Sequence, residues 1–158
     1  MLSVVCQLHF IASVKVAFEN IMFEIILISH GPLSKAMLET AQMIVGEQEH
    51  VTCFGLYLGD SVDLFRERVE EEIRNKLEES DVLVLTDMQS GSPFNVTVGA
   101  MGYYEFRHFT GMNLPMVLEI FSRRAYESLD EVCQDLLLST KETMVDVNQL
   151  LYELDTAF

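Results

Sequence analysis

The residues in this sequence most able to do chemistry are His30, Asp87 and Ser92, each standing where an apolar run gives way to turn residues. His30 follows FEIILIS and precedes Gly31–Pro32; Asp87 follows VLVLT; Ser92 lies in MQSGSPFN, immediately before Pro93. An aspartate aimed at a histidine is a common way to fix the imidazole tautomer. If Asp87 takes the Nδ1–H, Nε2 is left as an unprotonated nucleophile facing outward. Helix N-termini offer backbone N–H groups to an anion, and a serine hydroxyl adds a donor. One preorganised donor of this type is typically worth ~3 kcal/mol in a transition state. His30 and Asp87 are therefore the candidate catalytic pair, with Gly31, Gly91 and Ser92 as candidates to bind a phosphate. No Lys or Arg is obviously placed in these loops, although Lys35 lies in the first turn beyond Pro32. Neutral dipoles hold a phosphoryl group without trapping it, which suits a carrier that hands it on.

Each of these residues also has a plainer reading. A histidine after a strand is commonly a surface or hydrogen-bonded residue, Asp87 can be a helix cap, and Gly91 can merely relax a turn. Ser92 is expected to cap a helix whatever else it does. A Ser92–His30–Asp87 hydrolase triad is disfavoured, because Ser92 lacks the G-x-S-x-G context of a nucleophile elbow. No glycine pattern matches a nucleotide P-loop or a dinucleotide fingerprint. His50 and His108 are read as structural or exposed.

The elements that must position these residues follow from periodicity. Glu24–Ile28 and Val82–Thr86 are short apolar runs bounded by turn residues, as expected of strands buried on both faces. Leu33, Ala36, Met37, Ala41, Ile44 and Val45 form a helical stripe that ends at Gly46. Gly31–Pro32 is expected to open that helix, with glycine at the cap and proline at its first position. Val51–Leu56 reads as a strand. Gly59–Asp60–Ser61 is turn and cap chemistry before a helix marked by Val62, Phe65, Val69, Ile73 and Leu77. Phe106–Thr110 is a weaker strand, and Asn113 is a candidate N-cap for a helix over Leu114–Arg124. Ser128 and Glu131 fit a capping box ahead of Leu129, Val132, Leu136 and Leu137. In the tail, MVDV (144–147) is a candidate edge strand and NQLLYEL a closing helical turn or two.

Alternating strands and helices predict an α/β fold: three layers, a mostly parallel four-stranded sheet and helices on both faces. An extra antiparallel edge strand from the tail is a further expectation. The three prolines, Pro32, Pro93 and Pro115, each fall near an expected helix start just after a strand. In a parallel sheet those loops share one edge, so His30, Asp87, Ser92 and Asn113 are expected to converge.

At 158 residues the chain has the length of one domain, assigned to residues 22–158, with 1–21 as an N-terminal extension. A formal net charge of −15 argues against nucleic acid and anionic membranes as partners. No apolar run approaches the ~18 residues of a membrane-spanning helix. Cys6, Cys53 and Cys133 are isolated and odd in number, so neither a metal site nor a disulfide framework is expected, and a reducing cytoplasm is the natural location. Residues 1–21 lack the basic start of a signal peptide. They are read either as a non-native lead upstream of a start at Met22 or as a packed extension.

IILISHGPLSKAMLETAQMIVGEQEHV, VLVLTDMQSGSPFNV and TGMNLPMVLEIFSRR together resemble the mannose-family EIIA domain of the bacterial phosphoenolpyruvate–sugar phosphotransferase system. The resemblance runs from about Phe23 to Lys141, with the motifs in the family's order. It implies a phosphohistidine carrier without a metal or other cofactor. His30 would accept a phosphoryl group at Nε2 from phospho-HPr and pass it to a histidine of an EIIB partner. Asp87 would match the aspartate bonded to that histidine, and Ser92 the serine near the phosphoryl oxygens. The membrane permease would be served only indirectly, and the chain resembles a stand-alone EIIA subunit. The resemblance further implies a homodimer in which a C-terminal strand is exchanged. Two departures are visible: Ser90 stands where the family commonly has the first of two glycines, and the tail after Lys141 is longer. Two further readings remain open: the phosphotransfer subunit of a dihydroxyacetone kinase, and a regulatory module of similar fold.

Overall fold

The computed structural model describes residues 22–141 and 143–156; the readings of 1–21 fall outside these residues. Four strands, β1 (Glu24–His30), β2 (Val51–Leu56), β3 (Val82–Thr86) and β4 (Arg107–Thr110), form one sheet in the order β2-β1-β3-β4. All three pairings are parallel. Among the described residues six helices follow or separate them: α1 (Leu33–Val45), α2 (Val62–Leu77), α3 (Ser92–Ala100), α4 (Leu114–Arg123), α5 (Leu129–Ser139) and α6 (Val147–Thr156).

β1 is central, and Ile25 to Ile28 are wholly buried because the sheet is covered on both sides. Strand alternation sends Ile25 and Leu27 to one face and Ile26 and Ile28 to the other. The first face packs on Ala41 of α1, on Val117 and Ile120 of α4 and on Val132 and Leu136 of α5. The second packs on Phe65, Val69 and Ile73 of α2 and on Val96 and Ala100 of α3. Each such side chain contributes roughly 1.5–3 kcal/mol by leaving water, so the three-layer arrangement is set by these two apolar stripes.

Several helix ends are as the sequence predicts. Ser61 accepts from the Leu64 N–H, Asn113 from the Met116 N–H, and Ser128 and Glu131 make both halves of a capping box. Two helix starts differ. Pro32 occupies the cap position of α1 rather than its first helical position, with Gly31 before it at φ +54°. Ser92 is the first residue of α3 and makes no side-chain cap; the cap position belongs to Gly91 at φ +125°. A serine before proline is a sound cap in isolation, but here the left-handed glycine turns the chain one residue earlier.

The tail differs as well. Residues 144–147 form no strand, and within the described residues the sheet is four-stranded and parallel throughout. Asp146 Oδ1 accepts from the N–H groups of Asn148 and Gln149, opening α6. Val147, Leu150, Leu151 and Leu154 then repeat at helical rather than strand spacing, which explains the outcome.

Candidate functional site

Strand order places the site. The chain leaves β1 toward β2 on one side and returns through β3 on the other, so the connections diverge between the C-terminal ends of β1 and β3. Open parallel sheets bind ligands at such a point. His30 ends β1, and Asp87 directly follows β3.

The two residues meet as expected. His30 Nδ1 lies 2.8 Å from Asp87 Oδ2, and the same oxygen accepts the His30 backbone N–H at 2.8 Å. Asp87 Oδ1 accepts the Met88 N–H at 2.9 Å. The Asp87 side chain is 8% exposed, whereas that of His30 is 46% exposed. Burial pushes the Asp87 carboxyl up, but the hydrogen bonds from His30 and Met88 outweigh it and hold it below the usual carboxylate range. An ionised carboxylate only accepts, so Nδ1 must carry the proton. Nε2 of the neutral ring is then a bare lone pair.

Gly91 completes the enclosure. A Cβ built on it would stand 2.9 Å from His30 Cε1 and 3.3 Å from Nε2, so the glycine backbone lies against the imidazole itself. A side chain here would collide with the ring, and φ +125° would strain it in any case. Ser90 precedes it at φ +67°, left-handed although not glycine. Ser90 thus holds a backbone conformation that glycine adopts more readily. α3 starts at once, and Asn95 N–H is the first to reach back, to Gly91 O. The N–H groups of Gly91, Ser92 and Phe94 precede any intrahelical acceptor, and of these residues Gly91 lies against the ring.

Gly31 behaves differently from its neighbours across the crevice. Its N–H donates to Leu56 O at 2.8 Å, and the Ser34 N–H is taken by Ser29 Oγ at 2.7 Å. The first turn of α1 thus has fewer donors to offer than that of α3. Asn113 stands beyond β4 but is occupied, its Oδ1 capping α4 and its Nδ2 donating to Gly111 O.

A family model described as the PTS system fructose IIA component, EIIA-man, matches residues 24–137. That covers both apolar strands, His30, Asp87 and the Gly91–Ser92 turn. The chain belongs to the EIIA-man family. Among curated relatives, the fructose-specific EIIA component of Bacillus subtilis is 25% identical over 137 residues, covering 86% of this chain and 94% of that protein. The sorbose-specific EIIA component of Klebsiella pneumoniae is 31% identical over 116 residues, covering 73% of this chain and 84% of that protein. The crystal structure of a PTS IIA protein associated with a fucose utilization operon in Streptococcus pneumoniae superposes with a TM-score of 0.72 at 28% identity. It covers 84% of this chain and 98% of that one. These EIIA-man proteins are components of sugar phosphotransferase systems, and the chain is a transferase component of that class.

Two further histidines of this EIIA-man chain have polar partners away from the His30–Asp87 pair. His50 Nδ1 lies 2.6 Å from the buried Glu24 carboxylate at the opposite end of β1, with Lys76 Nζ at 3.1 Å on the other oxygen. His108 Nε2 lies 2.9 Å from Thr86 Oγ1, and burial lowers its pKa to about 4, so the ring is neutral. Burial raises the Cys53 thiol to about 11 and lifts that of Cys133, which makes both unreactive. No cluster able to hold a metal ion occurs among the described residues, and no described helix is long and apolar enough to cross a membrane. Sequence reasoning missed the Glu24–His50–Lys76 group; a charged residue opening an otherwise apolar strand was its one signal. It also missed Gly55, Ser29 and Ser34, which small side chains within apolar runs do not advertise.

Proposed function

We propose that the chain is a cytoplasmic phosphocarrier that takes a phosphoryl group from phospho-HPr onto His30 Nε2 and delivers it to an EIIB partner for sugar uptake. The observation that carries this reading is the His30–Asp87 contact at 2.8 Å beside the open start of α3. The Nε2 lone pair attacks phosphorus as the donor's N–P bond breaks, and the freed electron pair stays on the donor imidazole. Asp87 keeps the Nδ1 proton in place throughout. Gly91 and Ser92 supply donors to the phosphoryl oxygens, while Gly31 shapes the turn. Delivery repeats the displacement with the acceptor's histidine as nucleophile. The chain is proposed to act as a homodimer. The sugar-specific names of the relatives differ among themselves, and the sugar is set by the membrane components rather than by this site.

Incubation with labelled phosphoenolpyruvate, Enzyme I and HPr tests the reading. Acid-labile, alkali-stable label that is lost in His30→Ala supports it, and undiminished labelling of that variant places the acceptor elsewhere. Label drained by an EIIB protein, rather than by a nucleotide-bearing kinase subunit, identifies the acceptor.

A further inference from the structure

The last three residues of β2 touch the turn that carries His30 on both sides of Pro32. The Gly31 N–H donates to Leu56 O at 2.8 Å. The Ser34 hydroxyl donates to Phe54 O at 2.9 Å. Between these bonds, a Cβ built on Gly55 would stand 2.2 Å from the carbonyl oxygen of Gly31. That oxygen is backbone, so no side-chain rotation relieves the overlap. Ser34 is fully buried, as is Ser29, whose Oγ accepts the Ser34 N–H at 2.7 Å. One serine thus joins the first turn of α1 to the residue before His30 and to the neighbouring strand. In the sheet register Ser29 faces Gly55 and His30 faces Leu56, so the contacts form one seam.

We propose that Gly55 and Ser34 are positioning residues for His30, the end of β2 acting as a clamp on the Gly31–Pro32 turn. Asp87 accepts both the ring Nδ1–H and the backbone N–H of His30, so both bonds require residue 30 to sit at one place. The next residue is a glycine at φ +54°, with wide conformational latitude of its own. The seam removes that latitude and thereby sets the direction of Nε2. In-line transfer is sensitive to this, since a misplacement of about 1 Å can cost on the order of 100-fold in rate.

The inference rests on the reading of His30 as phosphoryl acceptor, so its test includes a readout that needs no transfer. The Nδ1–H proton and ring nitrogen resonances of His30 are recorded in the full chain, alongside the rate of labelling from phospho-HPr. Gly55→Ala is expected to move those resonances and to slow labelling about tenfold or more. Ser34→Ala is expected to do the same more weakly, and Ser34→Thr, which keeps the hydroxyl, to restore both. Ser61→Ala removes the α2 cap and controls for stability alone, lowering the melting temperature with His30 unchanged. If Gly55→Ala does not fold, Ser34→Ala against Ser34→Thr decides. Unaltered ring resonances in Ser34→Ala, or equal changes from Ser61→Ala, overturn the clamp. Shifted resonances in the variants together with an unlabelled parent chain overturn the phosphocarrier reading and leave the clamp standing.

Discussion

Asp87 serves His30 through one oxygen that accepts two N–H groups, and this concentrates the site's sensitivity on a single carboxylate. Asp87→Asn keeps the size and one acceptor but removes the charge that fixes the Nδ1–H tautomer. Labelling from phospho-HPr is expected to slow by ~10-fold or more, with little change in fold. A rate equal to that of the parent chain would reduce Asp87 to a support for the His30 backbone. Both residues were legible in the sequence because each ends an apolar run. Gly91 was legible only as a phosphate-binding candidate; its contact with the ring depends on the loop after β3 folding back over the end of β1. The cap expected of Ser92 failed for a similar reason, since the left-handed turn at Gly91 is invisible to local spacing.

Among the elements, the helix entrances at the crest divide their labour. α3 has no side-chain cap and opens at Gly91, whose backbone lies against the His30 ring, whereas α4 closes its own N-terminus with Asn113. Asn113→Ala is expected to cost about 1 kcal/mol of stability. In a chain of this size that lowers the melting temperature by roughly 2–4 °C. Labelling of His30 should persist at the parent rate; a large loss would give Asn113 a part at the site. Strand identities were readable from short apolar runs bounded by turn residues and helix identities from the 3.6 period, including the boundaries of α1 and α2. The tail was ambiguous because MVDV is only four residues long, too short to outweigh the helical spacing that follows.

For the molecule as a whole, three groups that are at least partly buried tie stability to acid in one direction. His108 is held neutral with a pKa of about 4 against an ordinary 6.5, so the unfolded chain gains a proton that the native chain refuses. Its contribution is complete above about pH 6.5 and is lost as the pH falls toward 4. Asp87 and Glu24 are both pushed up by burial and brought below the ordinary range by stronger partners, His30 and Met88 for one, His50 and Lys76 for the other. Their contributions are present above the ordinary carboxylate value and vanish in stronger acid. Thermal melts from pH 7.5 to about pH 2 should therefore show two descents. His108→Leu is expected to flatten the upper one and spare the lower; an unchanged upper descent would reassign it to another group.

By itself the sequence determined that β1 and β3 are buried strands, that helices cover both faces, and that a histidine and an aspartate stand where those strands end. Those are local matters, set by spacing, turn residues and the need to bury apolar stripes. Only the tertiary structure decided that one carboxylate oxygen takes two N–H groups of His30, that Gly91 lies on the ring, and that Gly55 leaves room for Gly31. Such contacts join residues far apart in the chain, and their ångström-scale distances arise from how the strands register and the loops close, which no single stretch of sequence contains.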